Sequence, residues 1–431
     1  MKKALFFFCL LALVACKKVD LDKASDLIVI NKVTDNSTLT NTMSDIEFLV
    51  RGYFLWSVDM ATVSDPHIRV SKKAGISAKD DCLRFEVTQD GERDFYASLK
   101  DLESNTTYYF RACAKIGGKL LMSEEKTFTT VPVHIGLIQT ALYDSNKEHL
   151  SFFAMNAKET RDLPSVDFFP MNTSDDRTIT WSTDSDLVTL TNDGKITAGA
   201  SAGEAVLTLR SSNGKTSQCT VFIRSEEAAK LVGSQFADLG LRVFWAVHNV
   251  GTNKYVEPGE YYAWGEKTPK STYTTDNYTL QTWVSNNRTT LDTLPAEYDV
   301  AHEAYDSNPC VGMPTRKEAR QLLAYCEFEL QSLGGYPIIR AKSKVNGKSI
   351  YLTPSGYYNG SEKKSPDECF FWTSTFDSGV GDYYDAIDYQ EPFYAWTNIS
   401  TYRVGCFSST HKKENPYRPY TYGLPVRAVA R

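Results

Sequence analysis

The sequence is poor in the residues that carry most enzyme chemistry. Only six histidines occur in 431 residues: His67, His134, His149, His248, His302 and His411. No two stand at the spacing of a helix-borne zinc pair, and His302-Glu303 lacks the second histidine of a metalloprotease helix. There is no Cys-x-x-Cys, which removes zinc-ribbon and dithiol redox sites. There is no Gly-x-Ser-x-Gly elbow and no phosphate loop, and Gly117-Gly118 and Gly334-Gly335 read as turn glycines. No long basic block exists and the net charge is −6, so no nucleic-acid partner is expected. Past the N-terminus no segment approaches the ~18 apolar residues of a membrane-spanning helix. These absences argue against an enzyme and leave no catalytic residue to assign.

What is present is an ordinary globular composition, 42% hydrophobic and 23% charged. The length calls for about three domains. Aromatics reach 13%, with 25 tyrosines and 22 phenylalanines. β-rich cores account for most of them, and extracellular binding surfaces also favour tyrosine.

Residues 1–15 read as a signal peptide: Lys2-Lys3 precede the apolar run Ala4 to Ala15. The run ends Leu13-Val14-Ala15-Cys16, which resembles a bacterial lipobox. The resemblance implies cleavage before Cys16 and lipidation of its thiol, an anchor holding the chain to a membrane. Lys17 and Lys18 stand where an inner-membrane retention aspartate would be, so an outer-membrane lipoprotein is expected, with the cell surface its place. Residues 16–25 form a polar tether.

Residues 26–132 carry only β signals. Tyr108, Phe110, Ala112 and Ala114 alternate onto one face. Leu102-x-Ser104-x-Thr106-x-Tyr108 before that run resembles the tyrosine corner of a fibronectin type III sandwich. Residues 133–224 are a second β segment. Thr178 to Thr183 alternates around Trp181-Ser182, and Asn192-Asp193-Gly194-Lys195 is a hairpin turn. This segment resembles a group 2 bacterial immunoglobulin-like domain. Residues 225–235 are expected to be a linker.

Residues 236–431 form the third domain. Its organising stretch, Asp238 to Glu266, predicts a strand over Leu241 to Val247 and a second aromatic strand over Tyr261 to Trp264. Thr315 and Glu318 form a capping box opening the one strong helix, with Ala319, Leu322, Leu323 and Cys326 on one face. The stretches Asn346-Gly347-Lys348-Ser349-Ile350, Phe371-Trp372-Thr373-Ser374-Thr375 and Tyr422-Gly423-Leu424-Pro425-Val426-Arg427 complete the pattern. In this order they resemble the Fibrobacter major paralogous domain family of surface proteins. That resemblance implies an α+β, C-type-lectin-like fold, distantly similar to the sulfatase-modifying enzymes. Trp245, Trp264, Pro314 and Trp372 then become core or turn positions. A Trp-Arg pair usual before Met-Pro-Thr is missing, since Cys310 and Val311 precede Gly312-Met313-Pro314-Thr315. The fold class expected overall is multidomain: two all-β immunoglobulin-like sandwiches, then an α+β lectin-like domain.

There are nine cysteines. Without Cys9 and Cys16 the rest are odd in number. Cys82 and Cys113 share the first sandwich as a candidate pair. Cys310, Cys326, Cys369 and Cys406 share the last module, where three connectivities are open. Cys219 is the candidate free thiol, and most of the set can equally be buried small hydrophobes.

The candidate binding segment is residues 376–420. It interleaves Tyr383, Tyr384, Tyr389, Tyr394 and Trp396 with Asp382, Asp385 and Asp388. Flat rings beside carboxylates suit the C–H faces and hydroxyl edges of sugars. Trp396, Tyr394, Asp388, Tyr383 and Asn398 are the residues assigned to ligand. Glu391-Pro392 and Trp396-x-Asn398 partly match calcium-lectin motifs, so calcium enters only as a weak candidate and no cofactor is assigned. The expected role is adhesion or recognition of a glycan or an extracellular protein. Two alternatives stand beside it: an enzyme or accessory of sulfatase or glycan processing, with Cys369 and Cys406 as copper-oxidase cysteines, and a structural subunit of a surface assembly.

Overall fold

The computed structural model describes residues 27–287, 291–366, 369–375 and 419–431. The signal peptide, the tether and the 376–418 stretch lie outside these. The described chain divides into two compact units. One runs to Ile138 and adds Phe168–Thr178 and Ser211–Lys215; the other holds Gln139–Asp167, Ile179–Arg210 and the chain from Thr216 onward.

The first unit is built on an immunoglobulin-like β-sandwich. One antiparallel sheet carries Ile28–Asp35, Phe48–Phe54 and Asp94–Leu99 in that order. The facing sheet carries Lys119–Met122, Thr107–Ile116, Val63–Ser71 and Leu83–Glu86. The alternation read from the sequence is realised in the strand Thr107–Ile116, where Tyr108, Phe110, Ala112 and Ala114 are buried. Phe128 stacks on Phe48 with ring centres 4.3 Å apart, closing that core. The tyrosine corner forms as expected: Glu103 N–H donates to Tyr108 Oη at 3.0 Å. Gly117 and Gly118, both at positive φ, turn the chain into the next strand, a conformation that glycine adopts without strain.

Cys82 and Cys113 are thiols here and not a disulfide. The sheet explains why. Cys113 pairs with His67 on the strand Val63–Ser71, whereas Cys82 precedes Leu83 on that strand's other side. A whole strand stands between them, about twice the ~4.8 Å strand spacing, which exceeds disulfide reach. Burial pushes the Cys113 thiol up to about 11, so it behaves as a small apolar side chain.

The second sandwich has one sheet of Phe152–Asn156, Thr216–Arg224, Gly203–Ser211 and Ile179–Thr183. Phe152–Asn156 runs parallel to Thr216–Arg224. A smaller sheet holds Thr160–Asp162, Lys195–Ala198 and Val188–Leu190, with the predicted Asp193-Gly194 turn and Gly194 at φ +80°. Cys219 is a buried thiol, pushed up to about 12 by burial.

This sandwich and the last module share a hydrophobic core. Leu150, Phe152 and Phe222 pack in one cluster with Leu239, Leu241, Val243 and Trp245. Phe152 meets Tyr325 edge-on at 4.8 Å, and Arg242 lies over the Phe222 ring at 4.6 Å. Arg224 pairs with Asp238 at 2.7 Å and covers the Phe244 ring. The 225–235 stretch takes part. Ser225 caps the helix Glu226–Lys230, its hydroxyl bonds to the Arg431 carbonyl at 2.5 Å, and Ala228 is buried.

In the last module the short strand Phe236–Ala237 pairs Phe244–Asn249, which in turn pairs the closing strand. Phe244–Asn249 lies antiparallel to Arg427–Ala430, which also pairs Val311–Gly312. Arg427, fully buried, donates to the carbonyls of Ala246 and Tyr351 at 2.9 Å each, tying its strand to Phe244–Asn249 and to Ser349–Leu352 of a second sheet. A three-stranded sheet, Cys326–Leu333, Tyr336–Ser343 and Ser349–Leu352, follows the helix Arg316–Tyr325. The Thr315–Glu318 capping box is present, and Ala319, Leu322 and Cys326 are buried. The second aromatic strand expected over Tyr261 to Trp264 does not form. It makes one bridge, Tyr262 to Leu424, because Gly259 and Gly265 at positive φ turn the chain on either side. Its rings serve the core instead: Tyr261, Tyr262 and Trp264 are all buried.

Candidate functional site

The residues assigned to ligand from the sequence, Tyr383, Asp388, Tyr394, Trp396 and Asn398, lie outside the described residues, as does Cys16. The same holds for Glu391 and Pro392, part of the calcium-lectin match, and for Cys406. The structure does describe the frame from which the 376–418 segment departs and to which it returns. Trp264 Nε1 donates to Thr373 O at 2.8 Å, and Trp372 Nε1 donates to Tyr262 O at 2.7 Å. Trp372 N–H donates to Pro425 O at 3.1 Å, so the outgoing and returning chains are bonded to each other. Thr375 bridges Thr293, and its hydroxyl accepts from Arg316 N–H at 2.8 Å. Trp245, Trp264 and Trp372 are core residues, as the resemblance implied.

A polar cavity of about 390 Å³ opens in the same module. Its wall is set by two caps. Asp299 caps the helix Val300–Ala304: Oδ1 accepts from the N–H groups of Ala301 and His302, and Oδ2 accepts from Met313 N–H at 2.8 Å. Burial raises the Asp299 carboxyl above its ordinary value, against the pull of those three N–H groups and the Arg431 charge. The second cap is the Thr315–Glu318 box, whose carboxylate is gripped by Arg431. Nε donates to Oε1 and Nη2 to Oε2, both at 2.8 Å. Between the caps lies Gly312. A side chain there would place its Cβ 2.7 Å from Asp299 Oδ2 and 3.4 Å from Arg431 Nη1. The glycine is therefore what lets these two groups face one space.

Thr293, His302, Thr315 and Ser374 add polar groups, over a floor that includes Leu294, Val311 and Met313. His302 Nδ1 lies 3.2 Å from the Val311 carbonyl, to which only a protonated Nδ1 can donate. Among the described residues neither His302 Nε2 nor Arg431 Nη1 makes a hydrogen bond. The sequence signals at these positions read as structure. Thr315 and Glu318 were visible as a cap, and His302-Glu303 as an incomplete metal motif. Nothing local announced that Asp299, Gly312 and Arg431 would converge. Among the described residues no group of three His, Cys, Asp or Glu is placed to hold a metal ion.

No protein-family profile matches the chain, and no curated protein matches it. Several solved structures of immunoglobulin and fibronectin domains resemble parts of it. The eight N-terminal immunoglobulin domains of the Down syndrome cell adhesion molecule are 13% identical, with 46% of this chain and 24% of that chain covered and a TM-score of 0.23. A three-domain fragment of titin is 12% identical over 48% of this chain and 68% of that chain, at a TM-score of 0.26. The FN1–FN3 domains of chicken CNTN1 are 12% identical over 46% and 65%, at 0.21. The chain spans about a quarter of the adhesion-molecule structure. Nothing about function follows from likenesses of this size.

Proposed function

We propose that this chain is an outer-membrane lipoprotein, anchored through Cys16 and displayed at the cell surface, that binds glycans through its last module. The two sandwiches are its stalk, fibronectin type III-like and then group 2 bacterial immunoglobulin-like. The last module is its C-type-lectin-like tip. The observation that carries the reading is the clamp around the 376–418 segment. Trp264 Nε1 donates to Thr373 O, Trp372 Nε1 donates to Tyr262 O, and Trp372 N–H bonds to Pro425 O. An aromatic and acidic segment of that length, held at both roots by a buried core, is the arrangement by which rigid scaffolds present binding loops. Trp396, Tyr394, Asp388, Tyr383 and Asn398 are its ligand-contacting residues. The test is a glycan array probed with the full chain in detergent, beside a Trp396→Ala variant. Retention of defined glycans by the wild type, lost in the variant with its melting temperature intact, supports the reading. A variant that unfolds would place Trp396 in the core and remove it from the site.

A further inference from the structure

We propose that the cavity between Asp299 and Arg431 is a subsite for one uncharged sugar ring. The inference rests on the glycan-binding reading above and adds a second place of contact, built wholly from described residues. Three observations carry it. The first is size: about 390 Å³ lies within the range of small-molecule sites, and a single pyranose ring fits.

The second is the balance of charge. Arg431 spends two of its donors on Glu318, and Asp299 receives three backbone N–H groups. Two carboxylates, Asp299 and Glu318, stand beside the one guanidinium of Arg431, so an anion gains no net attraction from that trio. A cation would find the Glu318 charge already paired and Asp299 already hydrogen-bonded. Ligands without charge are what remain.

The third is the alternation of donors and acceptors. Asp299 Oδ2 and Arg431 Nη1 both look onto the bare Cα of Gly312. His302 adds a further polar ring edge, Thr293 Oγ1 can donate or accept, Thr315 Oγ1 accepts from Glu318 N–H and can still donate, and Ser374 Oγ donates to Pro314 O and can still accept. A sugar hydroxyl donates one hydrogen bond and accepts others from the same oxygen, so it matches a donor and an acceptor placed side by side. The apolar groups of Leu294, Val311 and Met313 suit the C–H face of a ring. Ser374 in the wall is one residue before Thr375, the root of the 376–418 segment.

The test uses the full chain in detergent and saturation-transfer NMR. The probes are the methyl glycosides of glucose, galactose, mannose and N-acetylglucosamine, with inorganic phosphate as the anionic control. The inference expects at least one glycoside to bind and phosphate to have no effect. Gly312→Ala, which fills the cradle, should weaken that glycoside about tenfold or more. Ser374→Ala, which adds no atom, should weaken it several-fold, and it keeps the test decisive if Gly312→Ala fails to fold. Binding unchanged in a folded Gly312→Ala or Ser374→Ala protein, or phosphate binding in place of sugar, overturns the subsite. If Trp396→Ala abolishes binding while Gly312→Ala and Ser374→Ala leave it intact, the subsite fails and the glycan-binding reading stands. If no glycoside binds and the array retains nothing, both fail.

Discussion

At the scale of single residues, two bonds make measurable claims. Tyr108, itself buried, accepts at Oη from Glu103 N–H in a part-buried corner. Tyr108→Phe removes that acceptor and leaves the N–H unpaired. It should lower stability by about 1 kcal/mol, read as a reduced urea midpoint with an unchanged slope. An unchanged midpoint would mean that the corner contributes nothing. The second bond is the Arg224–Asp238 pair. Burial alone would raise the Asp238 carboxyl, but the Arg224 guanidinium and the Gly240 N–H together hold it below its ordinary value. Its folded-state value is then lower than its unfolded one. The pair's contribution is full above the ordinary carboxylate range and is lost as pH falls through the depressed value. Melting temperature should therefore drop on the acid side, and Asp238→Asn should flatten that drop at the cost of a lower plateau. An acid limb of the same depth in Asp238→Asn would show that other carboxylates set it.

At the scale of elements, the finding that changes the picture is the core shared by the second sandwich and the last module. Phe222 lies in it, touching Phe152 and covered by Arg242. Phe222→Ala should cost roughly 3–5 kcal/mol and open the 225–235 stretch to protease, which the wild type should resist there. Wild-type cleavage at 225–235 as fast as in the variant would contradict a shared core. This junction was not legible in the sequence. Glu226 to Lys230 is charged and alanine-rich, as a tether is, Leu150 precedes its strand, and Phe152 and Phe222 stand out of phase with the buried Phe153, Met155, Val221 and Ile223. Which second surface they cover is a tertiary fact with no local signal. What was legible had a local cause. The alternation at Tyr108 to Ala114 follows the period of a strand, the Thr315–Glu318 cap follows helix-end hydrogen bonding, and Asp193-Gly194 follows turn conformation. The Tyr261 to Trp264 strand failed for the converse reason. Aromatic propensity there is served by burial in loops, and Gly259 and Gly265 break the ladder. The cavity was hidden in the same way, since Asp299, Gly312 and Arg431 meet only after the closing strand pairs.

At the scale of the whole molecule, the proposed protein has a lipid anchor at Cys16 and a glycan-binding last module. The anchor is tested by mass spectrometry of the purified chain: a mature N-terminus at an acylated Cys16 is expected, and Cys16→Ser should yield an unlipidated product. A wild-type chain that starts elsewhere without lipid would remove the anchor from the account. The central claim is that the tip recognises glycans through the segment rooted at Trp372 and Pro425. The most direct measurement is glycan-array binding by the full chain, with Trp396→Ala alongside. The account predicts a defined set of glycans retained by the wild type and a loss of about 2 kcal/mol or more of binding energy in a variant that melts as the wild type does. An array on which the wild type retains no glycan, or on which a folded Trp396→Ala protein retains the same set, would contradict it.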